Sequence, residues 1–176
     1  MKYFRKLMSY IATRLIIITL CISLLVCAFY MAYNLGNAYV LINEGMEKRV
    51  SVVLTREDAT DLNDYFTTAF LENDPVLTIA FSDSSPYLPY TITGFDYSVS
   101  ISGITAWPWS SEIRCTVVES VKNITGTVKA AYATQVSGAP SQWKSGRYTI
   151  RLSKQANGQW KIAAMEQDAS YKDTEE

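Results

Sequence analysis

The chain has 176 residues, of which 48% are hydrophobic, 12% aromatic and 19% charged, a composition typical of one folded domain with room for an anchor. This balance excludes wholesale disorder, which requires low hydrophobicity and high net charge. The first 14 residues carry four cations and no acid, whereas the other 12 basic and 17 acidic residues give a net charge of −5. Phosphate contacts need a Lys/Arg patch, so we predict no nucleic-acid binding by the main part of the chain.

An uncharged apolar segment, residues 15–33, follows this basic tail. A helix of about 20 residues crosses a hydrocarbon core of about 30 Å, so the segment is predicted to be a transmembrane helix. Cations collect on the cytoplasmic side, which places residues 1–14 in the cytoplasm and the rest of the chain on the extracytoplasmic side of the cell membrane. On the outer side of the membrane, an interfacial aromatic belt is expected at Tyr30, Tyr33 and Tyr39.

Two other interpretations of the apolar segment fit it less well. A cleaved signal peptide has a shorter core, of about 7–15 residues, and residues 34–38 offer only a poor cleavage site. A lipoprotein signal would use Cys27, but Val26 stands where a small residue is normal. We therefore predict an uncleaved signal-anchor. It lacks a G-x-x-x-G pattern, so homo-oligomerisation is left open and is not predicted from the helix.

Residues 34–54 are predicted to be a stalk of uncertain helicity, because charges and a glycine at residues 44–49 interrupt its apolar pattern. We place an extracytoplasmic domain at residues 55–167. Its start resembles a helix cap at Thr55, and apolar spacings of three and four then predict an amphipathic helix that ends before Pro75. The following stretch, residues 76–81, is predicted to be either a further helical turn or a strand.

From Tyr90 onward the apolar period changes to two, which predicts β-strands. Asn157-Gly158 predicts a type I′ turn between the last two strands, since both central residues need positive φ. Alternation with one polar face suits an antiparallel sheet covered on one side. Residues 168–176 are predicted to be a charged, disordered tail. The five strand segments are Thr91–Ile101, Ile113–Val121, Thr125–Val136, Arg147–Ser153 and Gln159–Met165.

One helix and four to five antiparallel strands predict an α+β domain in which a curved sheet wraps round the amphipathic helix. The segments Thr55–Pro75 and Gly146–Ile162 resemble the NTF2-like (cystatin-like cone) superfamily, because a long strand turns at Asn-Gly and returns with Trp160. A cytoplasmic tail, one span and an outer cone domain are similar to VirB8-like components of bacterial conjugation and type IV secretion machines. The resemblance is architectural and implies a protein-interaction role without naming a site.

The chain has no histidine, which excludes Ser-His-Asp and Cys-His nucleophile systems and the usual zinc sites. No glycine-rich phosphate loop occurs either. Some cone-fold isomerases pair an aspartate with tyrosines, and Asp96, Tyr97 and Tyr65 are the candidates for that role in this chain. Asp96 alternates with apolar neighbours and is expected to face solvent. We therefore predict no enzyme and assign no catalytic, cofactor or metal residue.

Three tryptophans are the predicted partner-binding residues: Trp107 and Trp109 between the first two strands, and Trp143 in another connection. Exposed Trp buries a large area with little entropy loss, which suits recognition. The other interpretation is that these rings cap the open end of the cone or touch the lipid interface. Cys115, the one cysteine outside the span, is predicted to be a buried thiol on a strand rather than half of an intermolecular disulfide.

Taken together, these features favour a membrane-anchored assembly component that binds other membrane-associated proteins. The alternative is an extracytoplasmic domain that binds a small molecule or a cell-wall fragment in the concave pocket of the cone.

Overall fold

The computed structural model describes residues 2–171 and has an α+β architecture, in which three helices precede a four-stranded sheet. The strands lie in the order β1-β2-β3-β4, each antiparallel to the next, and the sheet is open. The predicted α+β class and antiparallel sheet are confirmed at this level. The elements are α1 (Lys2–Thr55), α2 (Thr68–Asn73), α3 (Pro75–Phe81), β1 (Tyr90–Ser102), β2 (Glu112–Val128), β3 (Gly146–Lys154) and β4 (Trp160–Gln167).

Residues 15–33 of α1 are uncharged and largely exposed. Large apolar side chains between Leu15 and Val26 are 49–70% exposed. The helix is long and apolar enough to cross a membrane. In water such a surface would be unfavourable by roughly 25 cal/mol for each Å² of apolar area, so this part of α1 is compatible with a transmembrane or signal-anchor helix.

The C-terminal half of α1 covers the predicted stalk, and it continues the helix without a break. Ala38, Ile42, Met46 and Val50 repeat at four-residue intervals and are fully buried. The charges at residues 44–49 do not interrupt the helix, because both glutamates lie on its exposed side and its arginine has a buried partner. This segment therefore packs with the sheet and does not stand apart from it.

The single amphipathic helix predicted from Thr55 to Pro75 is wrong. Thr55 ends α1: its hydroxyl donates to the carbonyl of Ser51 and caps no new helix. A short 3₁₀ helix, Thr60–Asp64, and then α2 follow instead.

The interruption of that predicted helix lies at Phe66, which forms a parallel bridge with Ile162 of β4. The N–H of Thr67 donates to the carbonyl of Ile162 (2.9 Å), and the N–H of Ile162 donates to the carbonyl of Tyr65 (2.8 Å). Backbone groups that bond to a strand are not available to a continuous helix, so the segment divides there.

Residues 75–81 are helical, which decides between the two predictions for this stretch. Asp74 is the N-cap of α3, and its carboxylate accepts from the N–H of Val76 (2.9 Å). Pro75 occupies the first helical position, where its missing N–H costs nothing. α2 is capped in the same way by the Thr67 hydroxyl.

Two details of the predicted sheet differ. The segment predicted to be a separate third strand, 125–136, begins as the end of β2, which pairs with β1 as far as Val128, and continues as a 3₁₀ helix at Ala130–Tyr132. The sheet therefore has four strands. The type I′ turn is also wrong, because Gly158 has positive φ (85°) and Asn157 does not.

The core lies between one face of the sheet and the C-terminal half of α1. Alternate residues of β1, from Phe95 to Ile101, pack against it as predicted. Cys115 is buried on β2, which confirms the predicted environment of this thiol. At the C-terminus, Arg147 lies over the ring of Tyr171, at 4.9 Å from its centroid, so the chain contacts the sheet up to this residue. Residues 172–176 of the predicted tail lie outside the described part of the chain.

Candidate functional site

A buried carboxylate lies on the inner face of β2. This face presents Ile113, Cys115, Val117 and Val121 to the core, and Glu119 takes the position between the two valines with no exposed surface. The indole N–H of Trp143 donates to Glu119 Oε2 at 3.1 Å. The alternation of the strand therefore places a carboxylate at a position that is otherwise apolar.

Glu119, Trp143 and the neighbouring Tyr97 of β1 form a polar cluster. Two of its buried atoms, Glu119 Oε1 and the hydroxyl of Tyr97, have no hydrogen-bond partner within residues 2–171. An unpaired buried polar atom costs about 1–3 kcal/mol, so the fold carries this cost at the centre of its sheet. Such atoms are few in folded proteins, which makes this position a candidate functional site.

An ion pair joins α1 to α3 beside this carboxylate. Arg49 donates from Nε to Asp74 Oδ2 at 2.6 Å and from Nη2 to Oδ1 at 3.0 Å. Both side chains are buried, with residue exposures of 4% and 3%. The two-pronged geometry satisfies both carboxylate oxygens, which is the condition for a buried ion pair to be tolerated.

Burial and neighbouring charges shift the titration of these groups. Burial raises the pKa of Glu119 to about 7, against the opposing effects of the Arg49 charge and the Trp143 hydrogen bond. Burial, and then the Glu119 charge, raise the pKa of Tyr97 and of Tyr148. For Arg49, burial works against the charged form, but the hydrogen bond and charge of Asp74 outweigh it and its pKa is raised. Arg49 therefore stays charged, while Glu119 titrates near neutral pH.

An open cleft of about 300 Å³, which we call the Trp143 cleft, lies beside the cluster. Its volume is at the lower end of the range for ligand pockets. Tyr148 also lines a second cleft, of about 330 Å³, together with Arg49, Asp74 and Phe70. The Trp143 cleft is lined mainly by Val53, Val76, Ile79, Tyr87, Trp143 and Tyr148.

The short helix α3 forms an apolar ridge between the Trp143 cleft and another cleft. Ile79 faces the Trp143 cleft and is 50% exposed. Phe81 is 46% exposed and lines a cleft of about 420 Å³ with Leu71 and Leu77. Two large apolar side chains with clefts on both sides provide a surface suited to apolar groups of a partner.

The predicted tryptophans fall into two separate places. Trp107 and Trp109 stack on each other, with ring centroids 5.5 Å apart, and both are exposed. Trp143 is half-buried and contacts Glu119. Glu119 lies seven residues after the start of β2, which is about 23 Å along the strand from the end that follows the loop holding Trp107 and Trp109. The three tryptophans therefore do not form one patch.

The residues weighed for carboxylate chemistry do not converge. Asp96 is exposed and accepts a hydrogen bond from the side-chain amide of Asn123. Tyr97 points to the opposite, inner face, whereas Tyr65 packs with its Cβ near Gly45 of α1. Asp96 faces solvent, as its alternation with apolar neighbours predicts.

The sequence interpretation missed Arg49 and Glu119, although each carries a signal. Glu119 is in phase with the apolar positions of its strand. Arg49 follows Met46 by three residues, on the helical stripe that begins at Ala38. A charged residue on a buried stripe is rarely left unpaired, so each position predicts a buried polar partner.

Comparison with known proteins adds no identification: no protein-family model matches the chain, and no curated protein or solved structure matches it.

Proposed function

We propose that this chain is a single-pass membrane protein whose extracytoplasmic domain binds other membrane-associated proteins as a component of an assembly. The observation that carries the proposal is the continuity of α1, which runs from the exposed apolar segment into the buried core of the domain without a break. The architecture is similar to that of VirB8-like components of conjugation and type IV secretion machines, and the domain is proposed to be NTF2-like.

Continuity of the helix fixes the distance between domain and membrane. The first fully buried core residue, Ala38, follows Tyr33 by five residues, a rise of about 7.5 Å. A domain held this closely and without a flexible linker keeps one orientation relative to its own helix. A fixed orientation favours an assembly with neighbouring membrane proteins, whereas capture of a soluble ligand does not require it.

The charge pattern supports the orientation in this proposal. Four cations precede the apolar segment, no acid lies among residues 1–14, and the remaining chain has a net charge of −5. By the positive-inside rule the basic end stays in the cytoplasm, so the sheet and α3 stand outside.

The α3 ridge is the proposed contact surface for a protein partner. Ile79 and Phe81 are exposed on the same short helix, and apolar clefts on both sides would receive partner side chains. The apolar surface extends beyond a single cavity, which favours a protein over a small ligand.

Site-specific photo-crosslinking in native membranes tests the proposal. A photoreactive phenylalanine analogue at Ile79 or Phe81 of the full-length protein is expected to give discrete adducts with one partner. The same analogue at Asp96, exposed on the other side of the sheet, serves as the matched control. Ile79→Ser with Phe81→Ser should also abolish co-purification of that partner. Equal adducts at Asp96, or unchanged co-purification, would contradict the contact surface.

A second function uses the Trp143 cleft for a small molecule or a cell-wall fragment. The aromatic walls of this cleft, Tyr87, Trp143 and Tyr148, carry polar groups at the rim from Ser141 to Lys144. Aromatic faces with a few polar groups are typical of ligand pockets. Soluble cell-wall fragments should then raise the melting temperature of the full-length protein by mass action, and Trp143→Ala should remove the shift.

A further inference from the structure

We propose that the Trp loop, Trp107-Pro108-Trp109, is a second membrane contact that docks into the lipid interface beside the outer end of the span. This inference rests on the membrane anchoring proposed above and adds a surface to it.

The position of the loop carries the inference. Pro108 lines a cleft of about 440 Å³ together with Tyr30 and Tyr33, the aromatic residues at the end of the apolar segment. The connection between β1 and β2 therefore returns to the end of the domain from which the apolar part of α1 emerges. If α1 crosses a membrane, the loop lies at the level of the interface.

The chemistry of the loop fits that level. Trp107 is 52% exposed and Trp109 is 73% exposed, although each has a large apolar ring system. The rings stack almost parallel, at an interplanar angle of 14°, so they present a common apolar surface. Indole combines an apolar body with an N–H donor, and for this reason Trp is enriched at headgroup level.

Charge in the cleft beside the loop is balanced. The cleft beside Pro108 includes both Asp64 and Lys154, and Asn34 and Asn37 supply neutral polar groups. Attraction to anionic lipid is therefore not the source of the contact, which comes from the indole rings. Binding should accordingly occur on zwitterionic lipid and should be insensitive to salt.

A lipid surface is favoured over a protein partner because the loop adjoins the membrane-spanning segment. α1 is one continuous helix, and Pro108 of the loop lines the same cleft as Tyr30 and Tyr33. A second contact beside the span would restrict rotation and tilt of the domain. The α3 ridge would then keep one direction along the membrane plane.

The test uses the full-length chain in phosphatidylcholine vesicles with bromine on the upper part of the acyl chains, which quenches nearby indole fluorescence. The chain has four tryptophans, so two triple variants isolate one each. Trp107→Phe, Trp143→Phe and Trp160→Phe together leave Trp109 alone. Trp107→Phe, Trp109→Phe and Trp160→Phe leave Trp143 as the matched control.

Bromolipid should lower Trp109 emission by about twofold or more relative to unbrominated vesicles, because interfacial Trp lies at the depth of the quencher. Trp143 emission should remain unchanged. Equal Trp109 emission in the two lipids, with quenching by aqueous iodide, would overturn the proposal. Should a triple variant fail to fold, Trp107→Phe with Trp109→Phe, compared with wild type, should show a smaller quenched fraction.

Alkaline extraction of the same vesicles separates the two proposals. Protein that resists extraction but leaves Trp109 unquenched would refute the loop contact and leave the anchor intact. Protein that is released by alkali would refute the anchor, and the loop contact with it.

Discussion

The guanidinium of Arg49, near the end of α1, and the carboxylate of Asp74, at the start of α3, form a two-pronged ion pair with N–O distances of 2.6 and 3.0 Å. The pair does more than neutralise charge. Asp74 also caps α3, so one carboxylate joins α1 to the ridge proposed to contact a partner.

Breaking this pair from one side should be costly. Arg49→Met leaves Asp74 buried without its cation and is expected to lower the free energy of unfolding by about 3–5 kcal/mol. Adding Asp74→Asn should recover part of this loss, because the unpaired charge disappears while the cap remains. Denaturant unfolding of the full-length protein in detergent, followed by circular dichroism, measures the free energy of unfolding of the single and of the double variant.

The control for Arg49→Met is the adjacent residue. Lys48 forms an exposed ion pair with Asp61 at 3.0 Å, and such pairs contribute little to stability. Lys48→Met should therefore be close to wild type. A similar loss for Lys48→Met and Arg49→Met would contradict the importance of burial.

Glu119 should make stability depend on pH. Its pKa is raised to about 7 by burial, so the folded state holds a proton that the unfolded state releases at lower pH. The stability contributed by this proton is present below the unfolded pKa of about 4.5 and is lost as pH rises towards 7, by about 3 kcal/mol in total.

Glu119→Gln should remove this dependence, so the variant gains on wild type between pH 4.5 and 7 and keeps that advantage above pH 7. The measurement is the melting temperature of wild type and of Glu119→Gln at a series of pH values. The difference between the two at each pH cancels the contribution of the other titrating groups. Trp143→Phe removes the donor to Oε2 and should move the step to higher pH. A difference curve that is flat from pH 4.5 to 8 would contradict the burial of this carboxylate.

Two glycines of α1 should respond in opposite ways to alanine. At Gly45 a new Cβ would lie 2.9 Å from Tyr65 Cβ, so Gly45→Ala should lower stability by about 1–3 kcal/mol through overpacking. At Gly36 no atom lies within 4 Å, so Gly36→Ala should be neutral or stabilising by up to about 1 kcal/mol through helix propensity.

Thermal unfolding of these two variants checks whether α1 packs against the domain at this point. Equal stability of Gly36→Ala and Gly45→Ala would mean that residues 34–54 stand free of the domain, as a stalk would.

Cys115 should be unreactive in the folded protein. Burial raises the pKa of its thiol to about 11, and the thiolate is the reactive form. In a Cys21→Ser, Cys27→Ser background, maleimide should label Cys115 only after denaturation. Rapid labelling of the folded protein would show that the inner face of β2 is open to solvent.

Much of the fold follows from local pattern. The apolar segment at residues 15–33 has about the length of a bilayer-spanning helix, and the period of two from Tyr90 onward is a direct consequence of strand geometry. Both signals are repeated over many residues, so single exceptions do not hide them. The stalk predicted at residues 34–54 shows the opposite case. There the glycine and the charges at residues 44–49 were given more weight than the apolar residues that repeat every four positions.

The candidate site was only partly predictable. The Trp loop is visible as aromatic residues in a connection, but its nearness to Tyr30 and Tyr33 depends on how the sheet packs against α1. Arg49 and Glu119 are detectable as charges on apolar stripes. Their partners, Asp74 and Trp143, are 25 and 24 residues away and carry no local signal.

The sequence by itself determined an apolar helix long enough to span a membrane, an antiparallel sheet, the buried environment of Cys115 and the absence of histidine chemistry. These properties depend on composition and on periods of two to four residues. Only the tertiary structure decided that α1 enters the core, that the predicted second helix divides at Phe66, and that Arg49 meets Asp74. Each of these depends on hydrogen bonds and packing between segments far apart in the chain, whose pairing no local pattern specifies.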